Sequence, residues 1–131
     1  MIVKVLGSGH SGGTPMIGEG WGEASPLNPK NRRTRPSILV EDHDTTILID
    51  TSPDLRSQLI NANVQSIDAV FYTHSHADHL HGIDDLRAVN RCMNKWIPTY
   101  TNKQTWDDIV QRFGYVLEPL KGNTNFFYKP C

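Results

Sequence analysis

Apolar residues are concentrated in several short runs that end at turn-forming residues. The runs MIVKVLG, SILVE, TTILIDT, DAVFYT and WIPTYT are rich in β-branched and aromatic residues, which predicts strands. YVLEPL and NFFYKP, near the C-terminal end, have the same character and are also predicted as strands. The polar DHD between the second and third runs suits a turn, with His43 as a turn residue.

Three segments between these runs carry apolar residues at helical spacing. TSPDLRSQLINAN predicts a helix with Ser52 as N-cap, Pro53 at the first helical position and Asp54 in the first turn. GIDDLRAVNRCM and NKQTWDDIVQRFG predict two more helices, the second ending at Gly114. The Gly-, Pro- and Asn-rich stretch 16–36 has no such period and predicts a long loop. Strands alternating with helices predict an α/β layered fold, with residues 1–131 as one domain.

Composition narrows the class of partner and the compartment. Lys and Arg number 13 against 14 Asp and Glu, a formal charge of −1, which gives no global field to attract nucleic acid. No apolar run approaches the ~20 residues of a membrane span, and no signal peptide is recognisable. The two cysteines, Cys92 and Cys131, do not form a disulfide framework. A cytoplasmic location with no membrane partner is therefore expected.

The histidines are concentrated in FYTHSHADHLHG, which holds four of the chain's 6 histidines. His74 and His76 are two apart in an extended segment, so both rings can point to one ion. Asp78 and His79 follow where the strand gives way to a helix and could address a second ion. Imidazole and carboxylate ligands suit zinc and are also compatible with manganese or iron. The pattern predicts a divalent metal site.

The motif THSHADH matches the H-x-H-x-D-H signature of the metallo-β-lactamase fold superfamily of metal-dependent hydrolases. KVLGSGHSGGTP resembles the first strand and glycine loop of the branch that contains ribonuclease Z and the phosphoribosyl cyclic phosphodiesterases. ILIDTSPDLRSQL resembles the early Asp-bearing strand and following helix of the superfamily. HADHLHGIDDLRAVN is similar to the phosphodiesterase subgroup, so nearly the whole chain carries the resemblance.

The resemblance implies a role for each matching residue. His74 and His76 would bind the first metal, and Asp78 and His79 the second. Asp78 would also be catalytic, handling the proton of the metal-bound water, while Asp50 would orient a ligand histidine from behind. The implied reaction is hydrolysis of phosphodiester bonds, in small nucleotide-like or ribosyl cyclic phosphates, by a metal-bound hydroxide at a site of two zinc ions.

The resemblance also implies that only part of the fold is present. Family members continue for about as long again and add a third histidine, a bridging aspartate and a last histidine, whereas no histidine occurs here between Leu86 and Cys131. The expected fold is an αββα sandwich of which this chain supplies one half, a mixed sheet with flanking helices. Three alternatives stay open: a truncated domain with a missing C-terminal half, self-association or another partner chain that supplies ligands, and a rearranged single-metal set.

Three further residues are candidates for substrate binding. His10 lies in the glycine loop, and His81 stands two positions after His79. Arg35 closes a basic stretch, and guanidinium groups suit phosphate recognition. An ordinary loop histidine, a surface histidine and a solvated basic loop are the alternative interpretations.

Two other functions compete with a phosphodiesterase. One is a catalytically incomplete metal-binding fragment or interaction module, which keeps the scaffold without the reaction. The other is a tRNA 3′-processing endonuclease, which would need a basic arm to grip tRNA, and no lysine-rich insertion is visible. The loop GWGEASPLNP lacks the cysteines with which some relatives bind a structural zinc, so no structural zinc is predicted.

Overall fold

The computed structural model describes residues 1–117 of the 131-residue chain. Five strands form one sheet in chain order: β1 (Ile2–Gly7), β2 (Ser37–Asp42), β3 (Thr45–Ile49), β4 (Ala69–Phe71) and β5 (Thr99–Tyr100). Four α-helices accompany it: α1 (Leu55–Asn61), α2 (Ala77–Leu80), α3 (Leu86–Met93) and α4 (Lys103–Phe113). Short 3-10 helices occur at Pro29–Asn31, Ile83–Asp85 and Gly114–Leu117.

The sheet is mixed, as expected for half of the sandwich. Strands β1, β2 and β3 pair antiparallel, whereas β3, β4 and β5 pair parallel. The carboxyl ends of parallel strands meet at one edge of the sheet. The backbone N–H of Asp50, just after β3, donates to the carbonyl of Phe71, the last residue of β4, at 2.8 Å. The early aspartate and the histidine signature therefore leave the sheet side by side.

The two faces of the sheet differ in burial because side chains alternate along each strand. On one face Leu39, Leu48 and Val70 are fully buried and belong to a core that includes residues of α1, α3 and α4. The other face is also apolar but remains half-exposed or exposed across all five strands. Its members are Val3, Val5, Ile38, Val40, Ile47, Ile49, Phe71 and Tyr100. We call these eight residues the open face.

The open face ends in a pair of aromatic rings. Phe71 and Tyr100 stack with their centroids 4.8 Å apart, and they are 40% and 44% exposed. Val5, at the opposite margin, is 63% exposed. An apolar surface of this extent is rare on a monomer and marks a place where another element packs.

The helices within residues 1–117 were compared with the length and apolar character that a membrane span requires. None of them meets both requirements.

Most predicted elements are confirmed, with differences at their ends. The strand predicted in WIPTYT is shortened to Thr99–Tyr100, and the helix predicted in GIDDLRAVNRCM is split into a 3-10 turn and α3. The N-cap of α1 is Asp54 and not Ser52, whose hydroxyl accepts from the Asp54 N–H at 3.2 Å and forms the turn before the helix.

Two predictions concern the end of the chain. Gly114 does follow α4, but its backbone is right-handed helical and the chain continues as a 3-10 helix. The strand predicted in YVLEPL is therefore wrong for residues 115–117, where Val116 is buried and packs as part of a helical turn. The remainder of that run and the strand predicted in NFFYKP lie outside the described residues.

Candidate metal centre

Asp50 lies at the junction between β3 and the site. Its backbone has a φ of 61°, the left-handed conformation that Asp and Asn tolerate better than other non-glycine residues. This conformation turns the carboxylate under the loop that follows β4, where only 7% of the side chain is exposed. A buried carboxylate needs hydrogen-bond donors, and the loop supplies them.

Three donors converge on the Asp50 carboxylate. The Thr73 N–H donates to Oδ1 at 2.8 Å, and the Thr73 hydroxyl donates to Oδ2 at 2.8 Å. His79 Nδ1 lies 2.7 Å from Oδ2. Because a carboxylate only accepts, Nδ1 of His79 carries the proton of the neutral ring. The lone pair of His79 is therefore on Nε2, the nitrogen that can bind a metal.

Thr73 extends this control to a second imidazole. Its Oγ1 lies 2.9 Å from Nδ1 of His74. The single hydroxyl proton is donated to Asp50, so Oγ1 accepts from His74 Nδ1–H. Nε2 of His74 is thereby also left with its lone pair. Asp50 thus sets the ring tautomer of His79 directly and that of His74 through one hydroxyl.

The four signature side chains gather above Asp50. The ring centroid of His74 lies 4.6 Å from that of His76 and 4.1 Å from that of His79. His79 Nε2 lies 3.5 Å from an Asp78 oxygen, with both side chains largely buried. In kind, these donors fit a divalent ion. Within residues 1–117, however, no group of three or more His, Cys, Asp and Glu side chains is arranged to hold one.

Each of the three substrate candidates has a contact of its own outside the four signature side chains. Nδ1 of His10 accepts from the Gly12 N–H at 3.1 Å, which gives this residue a role in the glycine turn. The exposed His81 packs edge-on against the Phe113 ring, with centroids 5.4 Å apart. The hydrogen bond to Asp54 is the main cause that raises the pKa of Arg35, and the Asp78 carboxylate of the signature adds the smallest contribution.

Arg35 is fixed by Asp54, which sequence reasoning assigned only to a helix turn. Nη2 and Nε of Arg35 donate to the two oxygens of Asp54, each at 2.8 Å, and the Arg35 backbone N–H adds a third bond at 2.9 Å. The hydrogen bond from Arg35 is the main cause that lowers the pKa of Asp54. The guanidinium is therefore held by a bidentate pair with a defined orientation.

This pair predicts a pH dependence of stability. The pKa of Asp54 is lower in the folded than in the unfolded chain. Its contribution to the free energy of unfolding is therefore complete above the unfolded pKa of ~3.9 and is lost as the pH falls through the folded pKa. We expect Asp54→Asn to lose about 1 kcal/mol at pH 7 and to show a shallower decline between pH 5 and 3. Urea unfolding across this range measures both. Parallel pH curves for the two proteins would contradict the assignment.

Thr73 is the main functional residue that sequence reasoning missed. Its hydroxyl connects Asp50 to His74, and the only available signal was its place between a predicted strand and the histidine motif.

A groove of about 650 Å³ between α1 and α3 contains none of the predicted site residues. The candidate site residues thus lie outside this groove.

Comparison with known proteins identifies the fold. A crystal structure of a diphosphatase from the PhnP family is 40% identical with a TM-score of 0.82, over 88% of this chain and 46% of that one. Zn²⁺-bound PqqB from Methylobacterium extorquens is 24% identical with a TM-score of 0.74, over 100% of this chain and 46% of that one. The second likeness shows the fold.

Another relative is named for a transferase activity and not for a diphosphatase activity. Octanoyltransferase from Porphyromonas gingivalis (strain ATCC BAA-308 / W83) is 40% identical over 113 residues, which is 86% of this chain and 23% of that protein. The chain thus spans about a quarter of this relative and about half of the solved structures. Residues 45–127 match the beta-lactamase superfamily domain. The chain belongs to the beta-lactamase superfamily, and it carries about half of the metallo-β-lactamase fold.

Proposed function

We propose that this chain provides the first half of the active site of a metal-dependent hydrolase that cleaves phosphodiester bonds. The observation that supports this best is the Asp50 carboxylate, which fixes the tautomers of His79 and His74 and leaves Nε2 of both free. Orienting partners of this kind are typical of metal-ligating histidines. A structural histidine cluster would not need two rings with the same free nitrogen.

His74 and His76 are the proposed ligands of one ion, and Asp78 and His79 those of a second. When bound, divalent ions supply a water of lowered pKa and positive charge for a phosphoryl oxygen. Asp78 has its oxygen near His79 Nε2 and is the proposed proton acceptor on this side of the site. Zinc is the proposed metal, with manganese or iron as alternatives.

The proposed substrates are small nucleotide-like or ribosyl cyclic phosphates. Support comes from the 40% identity to a diphosphatase, a protein that acts on bonds of phosphorus. Arg35 is the proposed phosphate contact, since Asp54 holds its charged guanidinium in a defined orientation. The exposed free thiol of Cys92 suits a reducing cytoplasm, which is the proposed location.

A tRNA 3′-processing activity has less support. The basic stretch could serve as a phosphate-binding surface, but Arg35 is paired with Asp54 and Arg32 lies over the Trp21 ring at 5.3 Å. The formal charge of −1 adds no long-range attraction for RNA. A small substrate therefore remains the proposal.

The open face indicates how the site would be completed. We infer that a second sheet packs on it, because sheets stack about 10 Å apart through apolar faces of this kind. That sheet belongs either to a C-terminal half or to a second copy of this chain, and it would bring the additional ligands. Without it, the chain is the metal-binding fragment that forms the alternative function.

Elemental analysis of the purified chain tests the proposal. We expect about two metal ions per site in protein that elutes as a dimer or with its second half, and a fall towards zero in His76→Ala. Hydrolysis of bis(p-nitrophenyl) phosphate by the same samples should follow the metal content. A wild-type ratio near zero, in both the isolated and the completed protein, would refute a metal-dependent hydrolase.

A further inference from the structure

The peptide segment between β4 and α2 carries His74 and His76 but belongs to no helix or strand. The His76 carbonyl accepts from the backbone N–H groups of His79 and Leu80 at the start of α2, each at 3.0 Å. His74 and Ser75 lie before this point, outside any helix or strand, and their positions depend more on contacts made by neighbouring side chains. Thr73 provides one such contact through Asp50. A second contact comes from a different direction, at Ser75.

Helix α4 holds Ser75 at two points. The Ser75 hydroxyl donates to Oδ2 of Asp108, and Nη2 of Arg112 donates to the Ser75 carbonyl at 2.7 Å. Asp108 and Arg112 are four residues apart, so they share one face of α4. They lie 33 and 37 residues from Ser75 in sequence, and the contact is tertiary. The side chain and the backbone of one residue are thus fixed at once.

The C-terminal end of α4 and the 3-10 helix that follows it contact residues just beyond the signature. Phe113 packs against the ring of His81, and the Tyr115 hydroxyl donates to Asp84 at 2.6 Å. The guanidinium of Arg112 lies 5.8 Å from the centroid of the Phe113 ring. The segment that carries the histidines is therefore braced by Asp50 at Thr73 and by α4 at Ser75 and beyond.

We propose that Asp108 and Arg112 are positioning residues for the metal centre, which hold the Ser75 peptide so that the His74 and His76 rings are preset for one ion. This inference rests on the proposed function. A preset segment loses little conformational entropy when the ion binds, whereas a free one must be ordered at that moment. Removing the contact should therefore weaken metal binding more than it weakens the fold.

The test compares Asp108→Ala with Asp107→Ala in the 131-residue protein. Asp107 is the neighbouring residue on α4, but its carboxylate bonds Lys103 at 2.7 Å and is 60% exposed, so it is a matched control. We expect Asp108→Ala to raise the dissociation constant for Zn²⁺ about tenfold in chelator competition, and Asp107→Ala to leave it unchanged. Asp108→Asn keeps an acceptor for Ser75 and should restore most of the affinity.

Two further measurements keep the inference falsifiable. If Asp108→Ala does not fold, Ser75→Ala removes the same hydrogen bond by deleting one hydroxyl and should give the same loss. Long-range ¹H–¹⁵N spectra of the metal-free protein should show His74 and His76 ring signals displaced in these variants and not in Asp107→Ala. Equal affinity for wild type and Asp108→Ala, or unmoved ring signals, would overturn the inference. If the wild type showed no affinity for metal while the His74 and His76 ring signals were still displaced in the variants, the proposed function would be refuted but the positioning role would stand.

Discussion

Replacing Asp50 with alanine is expected to lower the free energy of unfolding by about 3 kcal/mol and to weaken metal binding by about 10- to 100-fold. The stability loss has two causes: the Thr73 N–H loses its acceptor on Asp50, and alanine is strained at a φ of 61°. The affinity loss follows because neither His79 nor His74 retains a fixed tautomer. Urea unfolding and chelator competition measure the two effects separately.

Asp50→Asn separates orientation from stability. Asparagine tolerates the left-handed backbone, and its Oδ1 can still accept from Thr73 N–H. Its amide nitrogen cannot accept from His79 Nδ1 or from the Thr73 hydroxyl. We expect this variant to recover much of the stability but little of the metal affinity. If it bound Zn²⁺ as tightly as the wild type, Asp50 would have no orienting role.

The second large effect is expected for Gly82→Ala. A Cβ at Gly82 would lie 2.0 Å from the Ser52 carbonyl oxygen and 2.9 Å from Cβ of Leu55. The clash is with backbone, which cannot rotate away as a side chain can. Gly82 N–H also donates to the Thr51 carbonyl at 2.9 Å, so the two segments would be forced apart. We expect a loss of about 3 kcal/mol or more.

Gly114→Ala is the matched control for this substitution. Nothing lies within 4 Å of the position where its Cβ would stand, and its backbone is right-handed helical. Alanine there should change the free energy of unfolding by less than about 0.5 kcal/mol or raise it slightly. Thermal unfolding of both variants provides the comparison. Similar losses at the two glycines would show that close packing at Gly82 is not the cause.

Local chemistry explains why most elements were predictable. The continuous apolar runs in SILVE and TTILI fit strands of a sheet whose two faces are both apolar, one buried and one open. Asn102 caps α4 by accepting from the Thr105 N–H at 2.9 Å. YVLEPL also has a strand-like composition, yet residues 115–117 continue a helical turn. Burial of Val116 against the core decides that conformation, and short-range pattern does not report it.

The candidate site also consists of a part that could be predicted from the sequence and a part that could not. The residues from His74 to His79 form a contiguous motif, which can be recognised in the sequence. The groups that hold them cannot be recognised in this way: Thr73 acts through Asp50, 23 residues away, and Ser75 through Asp108, 33 residues away. These contacts exist only once β4 lies beside β3 and α4 packs on the loop. Contacts between residues this far apart in sequence depend on tertiary structure, and no periodicity in a single sequence predicts them.

The contiguity of the proposed ligands has a thermodynamic consequence. An unfolded chain still contains the stretch from His74 to His79 and retains some affinity for metal ions. Because a ligand stabilises a protein only by its preference for the folded state, metal binding to the unfolded chain subtracts from the gain. The rise in melting temperature on adding zinc should therefore understate the affinity of the native site. The gain in stability that zinc does produce measures the affinity that folding adds to the site, and the hydrogen bond between His79 and Asp50, 29 residues apart, is one part of it.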